Sequence, residues 1–144
     1  MKRLLEAWRK FAVDEPSVVP NREEMVNFLT NEPNQEIHLD NPKGSKKGFG
    51  RTEKVPLPFD YGEYPGIINP ADNMGWDLII VPSATKDDKF LMPVGHVEYS
   101  TDRRDKIGND KIIIAPDQRY TEEDRAIIDG FFDNLEGFQP VRWY

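Results

Sequence analysis

Asp72-Asn73-Met74-Gly75-Trp76-Asp77-Leu78-Ile79-Ile80-Val81-Pro82 opens with an acidic turn and runs straight into four apolar residues. A short, wholly apolar run rich in β-branched residues and closed by proline predicts a central strand over Leu78–Val81. Downstream, Phe90–Tyr99, with Pro93-Val94-Gly95-His96-Val97 inside it, and Ile112-Ile113-Ile114-Ala115 before Pro116 predict further strands. Upstream, Glu36-Ile37-His38-Leu39-Asp40 alternates polar and apolar as a half-buried strand does. Asp72, Asp77, Asp102, Asp105 and Asp110 punctuate these strands. Carboxylates held on rigid backbone and aimed into one cavity repel one another unless divalent cations sit among them.

The flanks read as helices. Leu4, Leu5, Trp8, Phe11 and Ala12 form an apolar stripe at helical spacing before Pro16 and Pro20. A second helix is expected from Asn21, an N-cap with Glu24 three residues on, facing Met25, Phe28 and Leu29 inward. The last helix runs from Thr121, with Asp124 completing a capping box and Ala126, Ile127, Ile128, Phe131 and Phe132 as its apolar face; Gly137 and Pro140 stop it. Strands in the middle and helices at the ends predict an α+β fold. The expected organisation is an N-terminal helical extension over 1–34 and a small barrel domain over 35–144.

Composition narrows the function classes. A chain of 144 residues suffices for one core. The absence of cysteine excludes disulfides, thiolate metal sites and a cysteine nucleophile. A net charge of −7 argues against a nucleic-acid partner, which calls for a basic surface. No apolar run approaches the ~20 residues that span a bilayer, and charges at Lys2 and Arg3 with Glu6 behind them interrupt any signal-peptide core. The expectation is a cytoplasmic protein with no membrane partner. One basic cluster stands out: Lys46, Lys47, Arg51 and Lys54, spaced by Gly48 and Gly50. Glycines permit close backbone approach to a phosphate and the cations neutralise it. The glycine-lysine-hydroxyl order of a P-loop is absent.

Together these residues resemble the soluble (family I) inorganic pyrophosphatases. That family carries an Asp-Gly/Ser-Asp-Pro-x-Asp signature followed by an apolar strand ending in Val-Pro. Asp72 through Pro82 keep the first and last aspartates and the strand. Pro93-Val94-Gly95, Asp102, Gly108, Asn109-Asp110-Lys111 and Ile112–Pro116 follow the family's order, and Tyr61-Gly62-Glu63-Tyr64-Pro65-Gly66-Ile67-Ile68-Asn69 is similar to its tyrosine-rich run.

The resemblance implies a five-stranded, OB-like barrel with a C-terminal helix. It implies Mg²⁺-dependent hydrolysis of pyrophosphate, or of a related phosphate-containing small molecule, by a homo-oligomer. Asp72, Asp77, Asp102 and Asp110 would then be metal ligands, with Asp72 and Asp77 catalytic; Asp105 is an alternative to Asp110. Lys47, Arg51, Lys111 and Tyr61 would hold substrate, with Tyr99 an alternative to Tyr61. The departures are specific. The family's water-activating aspartate falls on Met74, and a thioether neither ligates Mg²⁺ well nor accepts a proton. The Gly-x-Asp-Asp-Lys run is one residue short, which leaves either Asn109 or Asp110 at the ligand position. The final helix lacks the family's tyrosine-lysine pair, and its early glutamate falls near His38. Two functional classes fit: a Mg²⁺-dependent diphosphatase, and a pyrophosphatase-like binding or structural protein that has lost turnover.

Overall fold

The computed structural model describes residues 16–49, 52–99 and 110–144. In chain order its elements are β1 (Ser17–Val18), α1 (Arg22–Asn31), β2 (His38–Asn41), β3 (Lys46–Lys47), β4 (Val55–Pro56), β5 (Asp60–Asn69), β6 (Met74–Ile80), β7 (Leu91–Glu98), β8 (Asp110–Pro116), α2 (Glu122–Asp133) and β9 (Arg142–Trp143). The apolar run at Leu78 is a strand, as are the two downstream segments. The first expected helix, Leu4–Ala12, lies outside the described residues.

Seven strands form one mixed sheet in the order β1-β5-β6-β8-β7-β9, with β2 also on β5, while β3 and β4 make a separate pair. The long β5 holds β2 on its first half, at Tyr61–Glu63, and parallel β1 on its second, at Ile67–Ile68. Beside it, β6 is antiparallel to β5 and parallel to β8. The fold is therefore α+β, but the expected closed barrel is not found: among the described strands no ladder joins the β1/β2 edge to β9. The physical reason lies in the edges. Both β1 and β9 are two residues long, and Pro16, Pro20 and Pro140 flank them without an N–H to extend a ladder.

The pleat divides the side chains between two faces. One face carries Tyr61, Glu63, Asp77, Ile79, Lys111 and Ile113 by register. Here α2 packs through fully buried Ile128 and Phe132 into an aromatic cluster in which Phe49 meets Tyr61 at 5.5 Å and Phe132 at 6.3 Å. The other face carries Trp76, Leu78, Ile112, Ile114, His96, Glu98 and Asp110. It receives α1, and the Trp76 indole N–H donates to the Val19 carbonyl.

Both caps form as expected. Asn21 Oδ1 accepts from the Glu24 N–H at 2.9 Å, and Thr121 and Asp124 complete a capping box. Asp124 also accepts from the Ser83 N–H and hydroxyl, tying α2 to the end of β6. Met25 and Leu29 are fully buried in the common core, whereas Ala126, expected on the apolar face of α2, is exposed. Val19, Met25 and Leu29 share one core with the strands. Among the described residues no helix is long and apolar enough to cross a membrane.

Candidate functional site

The Asp77 face of the sheet gathers ionisable groups at its β2 side. Lys111 is 4% exposed, and its ammonium donates to Asp77 Oδ2 at 3.0 Å. The parallel pairing of Leu78 with Ile112 sets the two residues side by side, one position earlier on each strand. The buried Tyr61 hydroxyl donates to the same carboxylate; burial, then the charge of Asp77, push its pKa well above the usual phenol range. Lys47 reaches over from β3, its Nζ 4.6 Å from the centre of the Tyr61 ring and 5.2 Å from that of Phe49. Lys111 Nζ stands 5.4 Å from the centre of the Tyr61 ring, so two ammonium groups share one aromatic ring. Burial lowers the Lys47 pKa and the Lys111 charge lowers it further, against the pull of Asp77 and Asp40.

Carboxylates flank these cations. Glu63 is the cross-strand partner of both Asp77 on β6 and His38 on β2. One ligand atom each from His38, Asp40 and Glu63 falls within 4.8 Å of the others, and His38 Nδ1 lies 3.1 Å from Asp40 Oδ1. Burial raises the Glu63 pKa and the neighbouring Asp40 and Asp77 charges raise it further, with His38 opposing. Two glycines make this approach possible. A Cβ on Gly62 would stand 2.1 Å from the His38 carbonyl oxygen, and one on Gly75 would stand 2.5 Å from the Tyr64 carbonyl and 2.9 Å from Glu63 Oε2. The backbone of Gly75 is thus a wall of the site.

Asp72 sits at the rim. It is exposed in the β5–β6 turn, where its Oδ1 accepts from the Met74 N–H at 3.0 Å while Asn73 takes φ 59°. Its charge reaches both Glu63 and Tyr61. Met74 is 59% exposed and three residues from Asp77 on a continuous strand, so the pleat sends it to the opposite face.

Asp110 does not join Asp72 and Asp77. One residue from Lys111, it faces the other side of the sheet, where Arg22 donates to its Oδ2 at 2.9 Å. Tyr99 packs edge-on against Phe138, ring centres 4.8 Å apart. Asp102, Asp105, Asn109 and Arg51 lie outside the described residues. The structure therefore brings Asp77, Lys47, Lys111 and Tyr61 together, leaves Asp72 in the adjoining turn, and adds Glu63, Asp40 and His38. Sequence reasoning passed over Glu63 and Asp40 and took His38 for a strand residue. The usable signal was the alternation His38-x-Asp40, which puts both side chains on one face of a strand. Comparison with known proteins finds no family model, no curated protein and no solved structure that matches this chain.

Proposed function

We propose that the Asp77 face binds pyrophosphate, or a closely related phosphoanhydride, together with Mg²⁺, and hydrolyses it to two phosphates. The observation that carries this reading is the meeting of three carboxylates (Asp40, Glu63, Asp77) with two ammonium groups (Lys47, Lys111) on one side of the sheet, with Asp72 exposed in the adjoining turn. A phosphoanhydride presents dense negative charge, which requires fixed cations; Mg²⁺ requires hard oxygen donors. Asp40 and Asp77 offer Mg²⁺ the hard oxygen donors it takes, with Asp72 at the rim. When bound, Mg²⁺ supplies charge neutralisation and a lowered water pKa.

The chain's own groups divide the remaining work. Lys47 and Lys111 bind phosphate oxygens, and Tyr61, held neutral, keeps Asp77 oriented. Glu63 fills the role left open by Met74. Its raised pKa makes it a better proton acceptor near neutral pH than an ordinary carboxylate, and it lies on the Asp77 face. The attacking water gives its proton to Glu63 as its oxygen bonds to phosphorus, and the bridging P–O bond breaks.

The test is phosphate release from pyrophosphate with and without Mg²⁺. Turnover that needs Mg²⁺ and disappears in Asp77→Asn supports the enzyme. The outward-facing Met74 favours the second reading, a binding protein without turnover. A wild type that binds Mg²⁺ and pyrophosphate by calorimetry yet releases no phosphate would establish that alternative.

A further inference from the structure

The edge strand β2 and its neighbour β5 bring an imidazole and two carboxylates to one place. His38 and Glu63 are cross-strand partners. Between Leu39 and Asn41 the register slips by one residue, which leaves Asp40 as the extra residue of a bulge, a device that re-aims a side chain. One ligand atom each from His38, Asp40 and Glu63 lies within 4.8 Å of the other two, and no other such group occurs among the described residues. Their charges are poorly matched. The negative charges of Asp40, Asp77 and Asp72 all disfavour an ionised Glu63. Yet among the described residues no lysine or arginine forms an ion pair with Asp40 or Glu63: Lys111 is engaged by Asp77, and Lys47 lies over the Tyr61 and Phe49 rings. Carboxylates crowded without a fixed cation, beside an imidazole, suit a cation from solution.

We propose that His38, Asp40 and Glu63 together bind one borderline divalent cation of the Zn²⁺ or Co²⁺ class, with water completing its shell. Such an ion takes imidazole nitrogen at about 2.0–2.1 Å and carboxylate oxygen at about 2.0–2.2 Å, so two of its ligands at a tetrahedral angle stand roughly 3.4 Å apart. The 3.1 Å between His38 Nδ1 and Asp40 Oδ1 is close to that spacing. The His38 and Asp40 side chains are 65% and 39% exposed, so the ion enters directly from solvent and both ligands can turn onto it. Glu63 is the fixed member, its Oε2 set against the Gly75 backbone, where an added Cβ would stand 2.9 Å away. Gly62 lets β2 come close enough to complete the group, since a Cβ there would meet the His38 carbonyl oxygen at 2.1 Å. The imidazole selects a borderline ion over Mg²⁺, which prefers an all-oxygen shell. An ion held here occupies the Glu63 carboxylate that the proposed hydrolysis uses as proton acceptor, so it competes with that reaction and is not its cofactor. Binding is measured without substrate, so this site and the hydrolysis reading stand or fall separately.

The chain has two histidines, which makes the readout assignable. Zn²⁺ alone is titrated into the full chain while both imidazole rings are followed by long-range ¹H–¹⁵N NMR, and the affinity is measured by calorimetry. The expected result is a shift of the His38 ring nitrogens, with the buried His96 ring unmoved as an internal reference. Mg²⁺ at the same concentration should leave the His38 ring where it was. His38→Ala, Asp40→Asn and Glu63→Gln should each weaken Zn²⁺ binding tenfold or more; the first two change exposed side chains on an edge strand, and far-UV circular dichroism checks that all three variants fold. If the His38 ring stays put at millimolar Zn²⁺, the site does not exist. Zn²⁺ affinity that survives undiminished in any one of the three folded variants would equally overturn the three-ligand assignment.

Discussion

The Lys111 ammonium lies 3.0 Å from Asp77 Oδ2, across adjacent parallel strands. Lys111 is the one buried lysine among the described residues, and this carboxylate is its ion-pair partner. Breaking a fully buried pair costs about 3–5 kcal/mol. Because the Asp77 side chain keeps 22% exposure to screening water, Asp77→Asn should cost about 2 kcal/mol. Denaturant unfolding should show this as a lower midpoint at unchanged slope, and most of the loss should return in Asp77→Asn combined with Lys111→Met.

Glu63→Gln separates proton transfer from binding. Removal of a general base costs typically ~10²–10⁴-fold in rate. Steady-state phosphate release should fall by that amount, while pyrophosphate affinity by calorimetry changes less than about threefold. A turnover loss below about tenfold would assign the water-activating role elsewhere.

Met74→Asp tests the geometry of the signature directly. Restoring the family's aspartate in sequence places a carboxylate on the face opposite Asp77, next to Trp76 on the pleat. Turnover should stay within about twofold of wild type, since a base must reach the water it serves, directly or through one water. A rise of tenfold or more would mean that the turn refolds to bring position 74 back to the site.

Gly62→Ala should dismantle the carboxylate edge. The new methyl would stand 2.1 Å from the His38 carbonyl oxygen, and β2 must separate from β5 to admit it. The expected outcome is loss of the His38–Asp40–Glu63 grouping together with about 1–3 kcal/mol of stability, the range of overpacked sites. Thermal unfolding and Mg²⁺ titration should move together.

Asp124 gives the acid limb of stability a named source. Burial pushes its pKa up, but the hydrogen bonds from Ser83 and Thr121 outweigh this and hold it below the usual carboxylate value. A depressed folded pKa means that the unfolded state binds the proton first as pH falls. The stabilisation is therefore present above pH ~4 and lost as pH drops through the lower, folded value. Asp124→Asn should flatten that acid loss, and at neutral pH should cost about 1 kcal/mol, as loss of a helix cap does.

The strands at Leu78, Leu91 and Ile112 and the caps at Asn21 and Thr121 were legible because they are local. Apolar runs, alternation and hydroxyl or amide spacing act within a few residues of themselves. Part of the expected grouping is seen in the geometry: Asp77, Lys111, Lys47 and Tyr61 meet on one side of the sheet, while Asp72 stays in the turn. Asp110 could not be placed, since one residue of register sends a side chain to the other face, and only the pairing of Leu78 with Ile112 fixes that register.

By itself the sequence determined the strands at Leu78, Leu91 and Ile112, the two capped helices and the stock of acids and bases, all of which follow from short-range periodicity and side-chain chemistry. It did not give β5, whose proline and glycines disguise a ten-residue strand. Tertiary structure alone decided three things. It left the sheet open, because proline-flanked two-residue edges end its ladders. It set Glu63 between His38 and Asp77, because β2 and β6 both pair with β5. It gave Asp110 to Arg22, because α1 packs on the face that the pleat turns away from Lys111.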